Sequence, residues 1–252
     1  MIEDSGCADK NIDHGMLTLA VIGLAAISGS GPLPVYVCPK VARPPAVDGR
    51  LDDDAWKTAP AAELVDSVTG GKCSKATAAR MCWDDERLYI SFDCVDPDIW
   101  GTMTQRDDLI FREEVVEAFL DPNCSLHRYF EFNVSPRNVL FDAYVVNPDG
   151  LNPGEGTEFG WNCEGAVSAV CVDGTLDNRS DVDRGWTAEL AIPFKSLGRS
   201  TPKPGERWRG NLFRIDLSPL PKEFQAWSPP LFDPPRFHVP KRFGTIFFSD
   251  GG

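Results

Sequence analysis

The chain has 252 residues, 42% of them apolar, which is enough for one large β domain or two small ones and excludes wholesale disorder. Its net charge of −13 excludes a nucleic-acid partner, because a phosphate backbone is repelled by such a surface. No run of 18 apolar residues occurs, so no segment reads as a membrane-spanning helix.

In chain order, residues 1–33 read as a flexible tail. The stretch 17–27, "LTLAVIGLAAI", followed by "SGSGP", has the form of a signal-peptide core and its small-residue exit. The preceding residues are acidic (Glu3, Asp4, Asp9, Asp13 against Lys10), the wrong charge for a signal's leading region, and a start at Met16 adds no positive charge. An extracellular or periplasmic location is the expectation, resting more on function than on this segment. The eight cysteines show neither CxxC nor zinc spacing. Bridges Cys73–Cys82 or Cys163–Cys171 are open alternatives to free thiols.

From residue 34 to 252 the signals describe one domain of short strands. "KATAARMCW" and "LYISFDCVD" alternate in period two around the turn "DDER" and form a hairpin. "VVEAFLDPN", "RYFEFNVSP", "LFDAYVVNPDG", "GAVSAVCVDG", "GWTAELAIPF", "WRGNLFRIDLS" and "FGTIFF" continue the series, each rich in β-branched or aromatic residues and ending in turn formers. Only "DDDAWKTAP" and "FKSLG" read as short helical turns, and residues 150–160 and 219–237 read as long loops. This pattern predicts an all-β, antiparallel sandwich of jelly-roll or immunoglobulin-like type. Gly49 is expected in a tight turn, and Trp56, Trp83 and Trp186 in the core.

In "FREEVVEAFLDPN", Val116, Ala118 and Leu120 define one strand face and Glu117 stands on the other. Glu113 and Glu114 read as a polar lead-in, with Glu114 solvated. Adjacent glutamates point to opposite faces and cannot form the acid pair of a glycoside hydrolase, which needs a fixed separation across the scissile bond.

The ordered set "PPAVDGRLDDDAW", "WDDERLYISFDCVDPDIW", "RDDLIFREEVVEAFLDP", "RYFEFNVSP", "DRGWTAELAIPFKSLG", "GERWRGNLFRIDL", "QAWSP" and "HVPKRFGTIFF" resembles the family 9 carbohydrate-binding modules and their single-domain relatives, from about residue 36 onward. The resemblance implies a sugar-binding β-sandwich that works beside polysaccharide-degrading enzymes. It implies no required cofactor, with structural calcium as an option for which the acidic turns Asp52–Asp54 and Asp96–Asp98 supply oxygen ligands.

The resemblance places two sugar-facing aromatic positions on Phe111 and Phe237, where relatives carry tryptophan. It places a sugar-contacting acid on Glu117 and an arginine position on Asn133, with Arg137 nearby as a substitute. Trp100 and Trp227 are the alternative platforms. Arg106 and Asp107 stand at the entrance, and His238 supplies a hydrogen-bonding group. The rival readings are an interaction domain whose sugar site has decayed, a glycoside hydrolase, and a haem domain using Met81 or Met103 with His127 or His238.

Overall fold

The computed structural model describes residues 31–218 and 221–251; the tail and its signal-like segment lie outside them, apart from the last few residues. Thirteen strands follow in chain order: β1 (Val35–Pro39), β2 (Ala62–Glu63), β3 (Val65–Asp66), β4 (Thr77–Trp83), β5 (Arg87–Val95), β6 (Val115–Asp121), β7 (Arg128–Val134), β8 (Leu140–Val146), β9 (Val167–Asp173), β10 (Gly185–Pro193), β11 (Arg207–Asp216), β12 (Glu223–Ala226) and β13 (Gly244–Ser249). The single α-helix among the described residues, α1, covers Asp54–Thr58, and 3-10 turns cover Ile110–Arg112, Phe194–Leu197 and Pro240–Arg242.

Two sheets face each other. One has the order β1-β13-β11-β6-β7-β8, with β12 joining β11 to β3; the other has the order β2-β4-β5-β10-β9. Every ladder between named strands is antiparallel except β1 against β13, which is parallel. The all-β sandwich is therefore as read from the sequence, with one parallel edge pair added. The supposed loop 219–237 contains β12, which the prolines around it conceal.

Period-two alternation sorts side chains to the two faces of the larger sheet. Val116, Ala118 and Leu120 of β6 join Trp83, Trp186, Trp208, Phe132 and Phe248 in the interlayer core. Val115 and Phe119 turn the other way, into a second cluster with Tyr129, Phe141, Phe213 and Phe243. Burying each such aromatic or large aliphatic side chain contributes about 1.5–3 kcal/mol. The second cluster lies on the outward face of the sheet, and that face carries the cleft described below.

The "VDGRLDDDAW" motif closes one end. Glu189 of β10 accepts from the Gly49 amide at 2.7 Å, the Asp48 amide at 2.9 Å and the Trp56 indole at 2.7 Å. Gly49 has φ +86°, and a Cβ there would meet the Val170 carbonyl carbon at 2.6 Å, so only glycine fits. Among the acidic turn residues, Asp53 accepts from the Ala46 amide and Asp54 pairs with Lys57, so each is spent on local structure. All seven described cysteines are free thiols, so neither Cys73–Cys82 nor Cys163–Cys171 is bridged.

Candidate functional site

The three glutamates of "FREEVVEAFLDPN" go to three different places. Glu113 turns back to accept from the amides of Thr102 at 2.7 Å and Met103 at 3.2 Å, and from the Thr102 hydroxyl. Glu114 is not solvated as expected; it is 1% exposed, between the sheets, in a group with Asp96 and Asp216. Arg214, alternating inward from β11, sets Nη2 at 2.9 Å from both Asp96 and Asp216, and Lys75 donates to Asp216 at 2.6 Å. The Trp186 indole donates to Asp96 at 3.1 Å. Burial, reinforced by the two aspartates, pushes the Glu114 carboxyl up to about 10, so it holds its proton.

The three carboxyl groups stand close enough to share a cation, with ligand atoms within 4.8 Å of one another. The guanidinium and the ammonium already supply their counter-charge, so the trio does not fit a calcium ion.

Glu117 goes to the outward face. It forms part of the floor of a cleft of about 510 Å³ lined also by Glu131, Ile215, Phe111, Phe224 and Phe237. The loop segments 151–153 and 234–236 and the ring of Phe159 complete the walls. Strand register builds the floor: Glu117 of β6 lies opposite Asn133 of β7 and Phe213 of β11, and Glu131 lies opposite Phe119.

Glu117 is 2% exposed and makes no hydrogen bond or ion pair with any described residue. Burial, with the Glu131 carboxyl beside it, pushes its pKa well up. Glu131 accepts from the Asn133 amide at 2.9 Å, and burial pushes it up to about 7 against that bond.

His238 closes the acid end of the cleft. Its Nδ1 lies 2.7 Å from the Tyr129 hydroxyl, which itself accepts from the Asn147 amide at 3.1 Å. The Tyr129 hydroxyl and Nδ1 thus share a hydrogen bond, and Nε2 lies 3.9 Å from Glu131 Oε2. Burial pushes His238 down to about 4, so the ring is neutral near pH 7. Its face stacks on Phe119 at 5.0 Å.

Of the residues nominated from sequence, Phe111, Glu117, Phe237 and His238 meet at this cleft. Phe111 packs edge-on against Phe141 at 5.7 Å, and Phe237 stacks on Phe213 at 4.2 Å. Asn133 lies opposite Glu117 on the same sheet face, outside the cleft lining, and donates to Glu131 at 2.9 Å. Arg106 is clamped to Asp142 at 2.8 and 2.9 Å, and Asp107 follows it with φ +66°; neither lines the cleft. Trp100 lies under the Arg179 guanidinium at 5.4 Å, and Trp227 meets Tyr36 edge-on at 6.2 Å in the interlayer core. Arg137 bonds Gly101 and Asp177 and does not substitute at position 133. The structure adds Glu131, Phe159, Phe224 and Arg236; only Glu131 carried a legible signal, sharing a strand face with Asn133.

A model of the carbohydrate family 9 binding domain-like family matches residues 47–248. The chain belongs to this family. Carbohydrate binding is thereby its function. Among curated proteins it is 31% identical over 180 residues to an extracellular protein of Arthroderma benhamiae, covering 68% of this chain and 78% of that one. It is 28% identical over 164 residues to the exoglucanase XynX of Acetivibrio thermocellus, covering 65% of this chain but 13% of that enzyme. An endo-1,4-beta-xylanase A of Thermoanaerobacterium saccharolyticum is 26% identical over 161 residues, with 64% and 12% covered. The family 9 chain thus spans about an eighth of either enzyme.

The fold recurs in solved structures. A protein from Bacteroides uniformis described as carbohydrate-binding superposes with TM-score 0.71 at 16% identity, over 86% of this chain and all of that one. A family 9 module from Caldicellulosiruptor kristjanssonii, solved with cellotriose, gives 0.61 at 14% identity, over 87% and 95%.

Both histidines proposed as haem ligands have Nδ1 occupied within the protein, His127 against the Asn147 carbonyl and His238 by Tyr129, and Met81 is sealed between the sheets. Nothing in the structure favours the haem reading.

Proposed function

We infer that the family 9 domain binds its sugar in the cleft over Glu117 and Glu131, without hydrolysing it. The observation that carries this is Glu117: a buried carboxyl with no protein partner, opening into a cleft walled by phenylalanine and proline. An unpaired buried polar group costs about 1–3 kcal/mol, a cost a ligand hydroxyl or other donor relieves on binding. Phe111, Phe159 and Phe224 offer apolar faces to the C–H side of a pyranose ring, each worth about 0.5–1.5 kcal/mol by analogy with aromatic pairs.

The non-catalytic reading rests on placement and charge. A glycosidase sets one protonated and one ionised carboxyl on either side of the scissile bond. Glu117 and Glu131 occupy neighbouring strands of the same floor, and burial pushes both toward the protonated form. Secretion and service beside a polysaccharide-degrading enzyme are supported by the names of the curated relatives and belong to the same reading.

Calorimetric titration with cello- and xylo-oligosaccharides tests it. Heat of binding that Phe111→Ala weakens, with no reducing sugar released on long incubation, is the expected result. Turnover abolished by Glu117→Gln overturns the non-catalytic reading, and retention of full affinity by Glu117→Gln and Phe111→Ala moves the site elsewhere.

A further inference from the structure

The floor of the cleft holds two buried acids and no cation bonded to either. Glu117 has no partner among the described residues, and Glu131 has only the neutral Asn133 amide and, at 3.9 Å, the edge of His238. The charged and titratable groups around the pair are few. Tyr129 is engaged with Asn147 and His238, and the His238 ring is neutral. Arg236 also lines the cleft, but its Nη1 donates to Asn152 across the loops at 3.2 Å and it forms no ion pair with either glutamate. The acid group between the sheets is different, since Arg214 and Lys75 answer Asp96 and Asp216 there.

Buried carboxyls without a counter-charge select a ligand that brings one. A divalent ion would satisfy the charge but would leave the aromatic and proline walls without a role. A pyranose bearing an ammonium group meets both requirements, its C–H face against the rings and its nitrogen on the acids. The net charge of −13 acts in the same direction over a longer range, drawing a polycationic chain toward the surface and repelling a polyanionic one.

We propose that the cleft is selective for amino sugars, with Glu117 receiving the C2 ammonium of a glucosamine unit and Glu131 sharing it from the neighbouring strand. The proposal rests on the cleft being the sugar site. Burial, with the Glu131 carboxyl beside it, favours the neutral acid at Glu117 in the free protein, so binding of R–NH₃⁺ forms the carboxylate–ammonium pair and releases the carboxyl proton to solvent. No covalent bond changes.

Calorimetry with three trisaccharides decides the matter: the glucosamine trimer, its N-acetylated form and cellotriose. The glucosamine trimer is expected to bind at least tenfold tighter than either of the others at pH 6.5. Its binding should release close to one proton, read from the dependence of the heat on buffer ionisation enthalpy, and should weaken as pH falls to 5. Glu117→Gln, which keeps shape and removes charge, should erase the preference for the glucosamine trimer and the proton release. Cellotriose binding as tightly as the glucosamine trimer overturns the proposal and leaves the cleft a neutral-sugar site. Failure of all three trimers to bind overturns the sugar-site reading itself. An intact preference in both Glu117→Gln and Glu131→Gln removes these residues from the role.

Discussion

Two groups of buried acids lie on opposite faces of the same sheet, and they are finished differently. Between the sheets, Asp96 and Asp216 are closed by Arg214, Lys75 and the Trp186 indole, with Glu114 beside them as the neutral acid. On the outward face, Glu117 and Glu131 have one amide between them and no cation. The ionised members of the first group are answered within the chain, although Glu114 Oε1 and Arg214 Nε find no hydrogen-bond partner there, and its contribution is to hold the sheets in one relation. The second is incomplete within the chain, and that incompleteness is the ground on which it is proposed as the binding site. Burial of a charge says little about function until its partners are counted.

The largest effect should come from breaking the finished group. Arg214→Met leaves Asp96 and Asp216 buried without their guanidinium, and should cost about 3–5 kcal/mol of unfolding free energy in urea titrations. A loss no greater than that of an ordinary surface substitution would erase the distinction between the two groups.

At the unfinished group a smaller effect is expected, and on affinity. Phe111→Ala should weaken oligosaccharide binding by about threefold to tenfold, the loss of one aromatic face.

The pH dependence of stability separates the groups further. A glutamate held above its unfolded pKa near 4.3 gives stability that is present at low pH and is lost as pH rises through its folded pKa. Glu117 is raised in this sense, so Glu117→Gln should leave the urea midpoint nearly unchanged at pH 5 and raise it at pH 8. A lowered midpoint at pH 8 would show that Glu117 is partnered after all. Because Arg214 and Lys75 already neutralise the trio, a chelator should leave the melting temperature unchanged. Smallest of all, Lys57→Ala breaks a solvent-exposed pair with Asp54 and should leave the urea midpoint where it is.

The sandwich was legible because β4 to β11 carry clean period-two alternation punctuated by turn residues, and the faces of β6 followed from that period alone. The parallel pairing of β1 was not, since alternation fixes which face a residue takes and not the direction of its neighbour. β12 was hidden because four residues between proline-rich segments give too short a period to read. Glu114 was misread for a related reason: a charge at the start of a strand is ordinarily solvated, and here the side chain is buried between the sheets as the neutral acid, beside Asp96 and Asp216 from distant strands. A still longer stretch of sequence separates Phe111 from Phe237, which motif order brought together. Phe159 and Phe224, lying outside the quoted motifs, had nothing to announce them.

The crossing at Leu64 has a mechanical consequence. This one residue separates β2, in the smaller sheet, from β3, in the larger, and its amide is tied to the Thr77 carbonyl at 2.9 Å. Sliding one sheet over the other would tear the ladder of β2 or of β3 within a single peptide of slack, so shear between the layers is barred along that edge. The larger sheet, whose outward face floors the cleft, is thereby held in one relation to the layer beneath it, while the cleft's loop walls meet at Asn152 and Arg236.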